Sequence, residues 1–154
     1  LYQSEFFKEV LDFSDGPPPE INLFNEKNNG LSVLKLISNK LVKSVHDVSS
    51  GGILVTLSEM CVQNKIGAII NIPKNNIKLH EYLFGEDQSR YIIEVEEKNI
   101  KEVNKILKDS SIYFEKVGKT QKEYLEVENK IKIDLNELRQ SYEYWFKNYF
   151  KDNI

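Results

Sequence analysis

The sequence predicts an α/β or α+β fold in which a mixed β-sheet is flanked by helices. Two observations indicate this fold class. Short runs rich in Val, Ile and Leu alternate with longer segments whose apolar residues recur at helical spacing. Breaks rich in Gly, Pro, Asn and Asp separate these segments. Because strands and helices are mixed along the whole length, an all-helical or all-β class is excluded.

Length and composition are those of one globular domain. The chain has 154 residues, of which 40% are apolar and 29% are charged, which is enough to form a hydrophobic core. We predict a single domain over residues 1–154, with a lead-in helix and Pro-rich connector at 1–19 and an α/β body at 20–154. The chain begins with Leu1, and its only methionine is Met60. We therefore expect a fragment of a longer polypeptide.

Charge and hydropathy exclude several classes of partner. The net charge is -3, and the lysines are interleaved with glutamates, so no basic stripe predicts nucleic-acid binding. No apolar run approaches the ~20 residues that a membrane helix requires. The single cysteine, Cys61, lies in a helical apolar pattern and predicts a buried thiol in a reducing, cytoplasmic location.

Helical spacing of apolar residues predicts five helices. The first covers residues 4–11 with Ser4 as its N-cap, and the second covers residues 29–40. The second helix carries its apolar face at Leu31, Leu34, Ile37 and Leu41, and the third at Ile53, Leu57, Met60 and Cys61. Capping boxes predict the starts of the last two helices, at Asn99 with Glu102 and at Asp134 with Glu137.

Runs of Val, Ile and Leu without the helical period predict the strands. They lie at residues 41–48, 67–72, 91–95, 112–117, 123–127 and 131–133. The run at 67–72 is almost wholly apolar, which is typical of a strand covered on both faces. The Asp-Gly-Pro-Pro-Pro segment at 15–19 predicts a stiff, extended connector.

The last predicted helix carries an aromatic stripe. Its apolar residues are Leu135, Leu138, Tyr142, Trp145, Phe146, Tyr149 and Phe150. They keep the helical period, so the stripe indicates packing in the core or in an interface rather than a platform on which a ligand stacks.

The first segment that predicts chemistry is Val-His-Asp-Val-Ser-Ser-Gly-Gly-Ile at residues 45–53, where a strand leads into a helix. A helix N-terminus presents unpaired backbone N–H groups and a partial positive charge, and two glycines let an anion approach the backbone. The candidate phosphate- or nucleotide-binding residues are His46, Asp47, Ser49, Ser50, Gly51 and Gly52. The alternative is a capped strand–helix turn without a ligand.

The second segment is the polar loop at residues 83–90. Glu86 and Asp87 are able to ligate Mg²⁺ or to accept hydrogen bonds from a ribose, and Gln88 offers a donor and an acceptor. The alternative is a solvated turn in which Arg90 pairs with a carboxylate. With two histidines and one cysteine, no zinc site is predicted. We assign no catalytic residue and no metal ligand.

Three motifs carry a resemblance to a known family. They are Gly-Pro-Pro-Pro at 16–19, His-Asp-Val-Ser-Ser-Gly-Gly at 46–52 leading into Leu-Ser-Glu-Met at 57–60, and Leu-Phe-Gly-Glu-Asp-Gln-Ser-Arg at 83–90. Together with Ser-Glu-Phe at 4–6, they resemble the C-terminal domain of phosphoribosylformylglycinamidine synthase, a member of the aminoimidazole-ribonucleotide synthetase superfamily. The resemblance covers essentially the whole chain.

The resemblance implies a domain of an ATP-dependent ligase of purine biosynthesis. Such an enzyme converts formylglycinamide ribonucleotide, glutamine-derived ammonia and ATP to the amidine. It implies ATP and Mg²⁺ for the full enzyme, N-terminal ATP-binding domains in the same chain, and separate glutaminase and adaptor subunits. The fragment alone is expected to be inactive, because the catalytic histidine and most magnesium ligands of the family belong to other segments.

The resemblance further implies a synthetase with two pseudo-equivalent halves, in which this chain would be the C-terminal domain of the second half. The residues Glu86, Asp87, Gln88 and Arg90 would then be the counterpart of a substrate loop of the first half, either vestigial or lining an auxiliary nucleotide site.

The sequence departs from the family pattern at three places. Ser50 stands where the family has Asp, Asp87 stands where it has Ser, and Tyr2-Gln3 replaces a Gly-Gly pair. The change at Ser50 removes a negative charge from the first loop. Two rival interpretations stay open, a stand-alone nucleotide- or phosphate-binding regulatory module and a domain of a sister enzyme such as thiamin-phosphate kinase or selenophosphate synthetase.

Overall fold

The computed structural model describes residues 1–74 and 76–151 of the chain. This part contains six α-helices, six strands and one short 3₁₀ helix at Glu97–Asn99. The helices are α1 (Glu5–Leu11), α2 (Leu23–Ser38), α3 (Gly52–Asn64), α4 (Leu79–Phe84), α5 (Ile100–Asp109) and α6 (Leu135–Lys151). The strands are β1 (Ser44–Asp47), β2 (Gly67–Ile70), β3 (Tyr91–Glu94), β4 (Gly118–Gln121), β5 (Tyr124–Val127) and β6 (Ile131–Asp134).

The described residues divide into two compact units. The first consists of residues 1–56 and 76–116, and the second consists of residues 57–74 and 117–151. No helix among the described residues is long and apolar enough to cross a membrane. The assignment of residues 1–154 to a single domain stays a prediction.

In the first unit, β1 and β3 form an antiparallel pair, with Val45 opposite Ile93 and Asp47 opposite Tyr91. The core beside it is formed by α2 and α5, and its buried members are Leu36, Leu41, Val103 and Leu107. At the start of the unit, Ser4 caps α1 by accepting a hydrogen bond from the Phe7 N–H at 3.3 Å, as predicted.

The second unit contains a four-stranded mixed sheet in the order β4-β2-β5-β6. Strands β2 and β5 are parallel, and the other two pairs are antiparallel. Gly67, Ala68 and Ile70 of β2 are buried and Ile69 is half-buried, which agrees with the prediction of a strand covered on both faces. Leu125 and Val127 of the neighbouring β5 are almost completely buried. Cys61 is also buried, at 3% exposure, as the helical pattern predicted.

The predicted strand at residues 112–117 is wrong, because strand β4 begins only at Gly118. The Ile112 N–H donates to the Leu107 carbonyl at the end of α5, so the chain is still turning out of the helix there. Ile112 and Phe114 then pack against the core of the first unit. Their apolar character is therefore used in packing against helices, and it does not indicate a strand.

The apolar face predicted for α2 is only partly buried, because Leu41 alone of its four residues lies in the core. Leu31, Leu34 and Ile37 are 54%, 59% and 47% exposed, whereas Leu36 is fully buried. The helix begins at Leu23, because the Asn22 side chain accepts from the Asn25 N–H at 3.0 Å and caps it. Apolar residues lie on more than one face of α2, so the periodicity alone did not identify the face that packs in the core.

The capping box predicted at Asn99 and Glu102 is absent. The Asn99 side chain makes no cap hydrogen bond, and its Nδ2 instead donates to the Leu41 carbonyl at 3.2 Å. The cap predicted at the start of α6 is partly present, because the Asp134 carboxylate accepts from the Asn136 N–H at 2.8 Å.

Candidate functional site

The first predicted loop is a tight turn between β1 and α3. Val48 is buried, and its N–H donates to the Arg90 carbonyl at 2.9 Å, which extends the contact between β1 and β3. The Gly52 N–H donates to the Ser49 carbonyl at 3.0 Å and closes the turn. Gly51 and Gly52 have φ angles of 80° and 67°, in the left-handed region that favours glycine.

The backbone of Leu83 and Gly85 passes so close to position 52 that only glycine fits there. A Cβ atom at this position would lie 2.6 Å from the Gly85 carbonyl oxygen and 2.7 Å from that of Leu83. The second predicted loop therefore passes directly against the first. The sequence predicted that the absence of a side chain at Gly52 makes room for a ligand. In the structure, this space is occupied by the backbone at the end of α4.

The carboxylate of Glu86 joins the two loops. Its Oε1 accepts a hydrogen bond from the Gly51 N–H at 2.7 Å and a second one from the Glu5 N–H at 2.9 Å. Gly51 directly precedes α3 and Glu5 is the first residue of α1, so one carboxylate oxygen meets the N-terminal ends of two helices. Unpaired N–H groups and the helix dipole favour an anion at these ends. The negative charge of Glu86 thus lies where the sequence predicted an anionic ligand.

Arg90 stabilises the second loop from within. Its Nε donates to the Asp87 carbonyl at 3.1 Å, and its Nη2 donates to the Gly85 carbonyl. The Asp87 carboxylate lies 3.9 Å from Nη2. Burial lowers the pKa of the Arg90 guanidinium, and the negative charge of Asp87 acts in the opposite direction. The contacts of Arg90 correspond to the alternative in which this residue pairs with a carboxylate.

The other predicted residues of the second loop point to solvent. The Asp87 side chain is 72% exposed, and Gln88 is exposed as well. Ser49 and Ser50 of the first loop are also exposed. The structure therefore brings Glu86 to Gly51 and leaves these four side chains accessible from water.

His46 and Asp47 lie at the end of β1. The His46 Nδ1 is 2.7 Å from the Asp47 carbonyl oxygen and 3.6 Å from its carboxylate. The Thr56 hydroxyl donates to the same carbonyl at 3.4 Å, so the end of β1 is also tied to α3. The ligand-binding role of His46 and Asp47 stays a prediction.

A groove of about 520 Å³ borders these two residues in the first unit. It is lined by Gly30, Val33, Leu34, Ile37, Val45, His46, Asp47 and Tyr91. The helix α2 contributes half of this lining, which the sequence did not predict.

The sequence also missed the residues of α2 that hold the second loop. The Asn29 Nδ2 donates to the Ser89 carbonyl at 2.8 Å, and the Ser89 hydroxyl donates to the Glu26 carboxylate at 2.5 Å. Ser89 has a φ angle of 65°, which is uncommon for a residue other than glycine. No short motif signals these contacts, since the partners are separated by 60 and 63 positions in the chain.

The acidic side chains of the second loop do not form a metal site. Among residues 1–74 and 76–151, no group of three or more His, Cys, Asp or Glu side chains is placed to hold a metal ion. Glu86 is used in hydrogen bonds to backbone N–H groups, and Arg90 lies beside Asp87. The described residues therefore do not fit a magnesium ion bound by this loop.

These features define a mixed α/β domain in which a strand–helix turn with two glycines is closed by the carboxylate of a second loop. The family described as AIR synthase related protein, C-terminal domain, matches residues 5–128. The chain belongs to this family. The predicted fold class, a mixed α/β domain with the fold of aminoimidazole-ribonucleotide synthetase-like C-terminal domains, is confirmed.

Relatives within the family are synthetase subunits. The chain is similar to the phosphoribosylformylglycinamidine synthase subunit PurL of Pelagibacter ubique (strain HTCC1062), with 45% identity over 99% of this chain and 21% of the relative. It is 35% identical to the subunit of the same name from Rhodopseudomonas palustris (strain BisB5), over 97% of this chain and 20% of that protein. The chain thus spans about a fifth of the length of the curated relatives it matches.

Solved structures support the fold. Thermotoga maritima PurL complexed with ATP has a TM-score of 0.69 at 20% identity, over 81% of this chain and 23% of that one. The structure of PurLQS from the same organism has a TM-score of 0.66 at 20% identity, over 86% of this chain and 24% of that one. At this level of identity the likeness concerns the fold.

Proposed function

We propose that the chain is one domain of the large synthetase subunit of phosphoribosylformylglycinamidine synthase. The enzyme would convert formylglycinamide ribonucleotide, glutamine-derived ammonia and ATP to formylglycinamidine ribonucleotide, with ADP and phosphate released. The observation that carries the proposal is 45% identity to a PurL subunit over 99% of this chain. Such a match includes both predicted loops.

The partners of the domain follow from the same proposal. Because the matched relatives are about five times longer than this chain, most of the enzyme is contributed by other segments. These would include N-terminal ATP-binding domains of the same polypeptide. A complex named PurLQS exists for the Thermotoga relative, which supports the proposal of a glutaminase subunit and a small adaptor subunit. A cytoplasmic location remains a prediction.

Within the enzyme, we assign this domain an architectural role. The Glu86 carboxylate occupies the Gly51 N–H and the Glu5 N–H, which are the groups best placed to bind a phosphate. A second anion at this turn would be repelled by the negative charge of Glu86. It would also find these two N–H groups already used as hydrogen-bond donors. His46, Asp47, Ser49 and Ser50 remain proposed as outer residues of a nucleotide site that needs further segments to be complete.

ATP would likewise be held by segments outside this chain. Relatives of the chain were solved with ATP and with ADP, which supports ATP as a ligand of the full enzyme. Magnesium would be bound there too, since the described residues offer no suitable group of ligands. No chemical step is assigned to a residue of this domain.

The experiment compares the full-length polypeptide with the isolated chain. Amidine formation is measured with formylglycinamide ribonucleotide, ATP and ammonium, so that the glutaminase subunit is not required. We expect turnover by the full-length protein and none by the isolated chain. Turnover by the isolated chain, or a full-length protein without amidine formation, would contradict the proposal. Tight binding of ATP or ribose 5-phosphate to the isolated chain by calorimetry would favour the regulatory-module alternative.

A further inference from the structure

Helix α6 presents an aromatic face to solvent. Tyr142, Trp145, Phe146, Tyr149 and Phe150 follow the spacing i, i+3, i+4, i+7 and i+8, so they lie on one side of the helix. They are between 45% and 68% exposed. Four of the rings contact one another: Trp145 stacks on Tyr149 at a centroid distance of 5.4 Å, and Phe146 lies tilted against Phe150 at 4.7 Å. These five residues are called the aromatic face below.

The aromatic face continues a side of α6 that is already in contact with protein. Leu138 and Leu135 lie on the same side, one and two turns before Tyr142 respectively, and both are half-buried. Helix α6 packs against β6 at this end. The half-buried leucines thus lead into exposed rings on the same side of the helix, with Arg139, paired with Glu143, between the two sets. A contiguous exposed patch of large apolar side chains marks an interaction surface.

Helix α6 is shared with synthetase relatives but lies outside the family match. The family match ends at residue 128, before α6 begins at Leu135. The similarity to the PurL subunit of Pelagibacter ubique extends over 99% of the chain and therefore includes α6. The helix is thus shared with synthetase subunits and lies outside the part that defines the wider family.

The chemistry of the face favours a permanent partner. An uncharged surface of five rings resembles an obligate interface, in which a hydrophobic core is cut in half, more than a transient one with polar groups. A partner within the same polypeptide is present at high effective concentration, so the face would be covered at all times. The Pelagibacter relative has about four fifths of its length outside the matched region, which supplies such a partner.

From these observations we infer that the aromatic face of α6 docks into an apolar surface of another domain of the same polypeptide. This inference rests on the proposed function, because it requires the longer synthetase chain. The occupant is intramolecular, and it is neither a second copy of the chain nor a separate subunit.

The test uses photo-cross-linking in the full-length polypeptide, purified with its partner subunits. Benzoylphenylalanine replaces Trp145 in one variant. In the control it replaces Tyr144, which is 69% exposed and lies on the opposite side of α6. After irradiation, mass spectrometry identifies the linked peptides. We expect Trp145 to link to peptides of the same polypeptide outside these 154 residues, with a yield that dilution does not change. Tyr144 should give little product.

Other products would overturn the inference. A dimer of the polypeptide, a link to the glutaminase or adaptor subunit, or equal yields at the two positions would each do so.

Hydrogen exchange on the unmodified full-length protein gives an independent result. If the aromatic face is docked, the amides of residues 142–150 should exchange as slowly as those of buried helices; if it is not, they should exchange at the faster rates of an exposed terminal helix. Amidine formation is measured on the same samples. An active enzyme with intermolecular links contradicts only the docking, and an inactive full-length protein with the expected link contradicts only the proposed function.

Discussion

The carboxylate of Glu86 accepts a hydrogen bond from the backbone N–H of Gly51 at 2.7 Å, across 35 positions of sequence. The same oxygen accepts from the Glu5 N–H at 2.9 Å. One side chain thus connects the start of the chain, the glycine turn and the second loop. A family motif that resembles a ligand-binding turn is held together by an internal anion, and this arrangement leads to direct tests.

Replacement of Glu86 should destabilise the chain in a graded way. Glu86→Ala removes the acceptor of two partly buried N–H groups, so we expect a loss of about 2 kcal/mol in the free energy of unfolding. Glu86→Gln keeps an amide oxygen as acceptor but loses the charge, and about 1 kcal/mol is expected. Urea denaturation followed by circular dichroism measures both values.

Asp87→Ala is the matched control for Glu86. It removes a neighbouring carboxylate whose side chain is 72% exposed, so the change should stay within about 0.5 kcal/mol. If the three variants were equally stable, the Glu86 contacts would not contribute to holding the loops together.

Alanine should have opposite effects at two glycines. Gly52→Ala places a Cβ atom 2.6 Å from the Gly85 carbonyl oxygen, at a φ angle of 67° that disfavours alanine, so a loss above about 2 kcal/mol is expected. Gly30→Ala lies inside α2, and its Cβ would meet only the Tyr91 hydroxyl at 3.6 Å. A gain of about 0.5–1 kcal/mol is expected there, because alanine is the better helix former. Thermal and urea unfolding measure whether each variant is more or less stable than the unmodified chain. If Gly52→Ala left the free energy of unfolding unchanged, the close approach of the two loops would be refuted.

Local patterns predicted the parts of the site that depend on local contacts. Of the four residues that the helical period after the glycines identified, Ile53, Leu57 and Cys61 are buried and Met60 is half-buried. The cap at Ser4 was predicted because a cap involves only the residues of one helical turn. Such features follow from a few consecutive residues, whose geometry is the same in any fold.

Contacts between distant segments were not predictable from one sequence. A pair of glycines has the same signature whether a phosphate or a carbonyl oxygen approaches it, and at Gly52 the neighbour is the backbone of Leu83 and Gly85. The pairing of Glu86 with Gly51 depends on how α4 is placed, and no residue near either position signals it. The burial of Leu36 was missed for the same reason, since it depends on the packing of α5 against α2.

The charge cluster around Glu96 should appear in a pH titration. The Glu96 carboxylate lies 2.8 Å from the ammonium groups of both Lys43 and Lys98, and hydrogen bonds to these groups lower its pKa to about 2. Because the pKa is lower in the folded state, the stabilisation is complete above the usual carboxyl pKa of about 4.5 and is lost as the pH falls to about 2.

Carbon-13 NMR of the Glu96 carboxyl resonance measures this pKa directly. In the double variant Lys43→Gln/Lys98→Gln the pKa should rise toward its usual value, and high salt should have the same effect on an exposed cluster. Lys101→Gln is the control, because Lys101 takes no part in either ion pair. An unchanged pKa in the double variant would show that the lysines are not its cause.

The internal anion also predicts how the glycine turn responds to phosphate. With Glu86 in place, the Gly51 N–H is occupied and a phosphate would meet a like charge, so the unmodified chain should show no measurable binding of inorganic phosphate. Glu86→Ala frees two N–H groups at the ends of α1 and α3 and removes the charge, which recreates the conditions under which helix N-termini bind anions. We expect weak, millimolar binding in this variant, which the chemical shifts of the Gly51 and Gly52 amides measure.

Asp87→Ala is the control for this binding. It removes one negative charge from the same loop but leaves the Glu86 contacts intact, so it should bind no better than the unmodified chain. Phosphate binding to the unmodified chain at these two amides would mean that Glu86 yields to a ligand, and the turn would then be a binding site with a displaceable carboxylate.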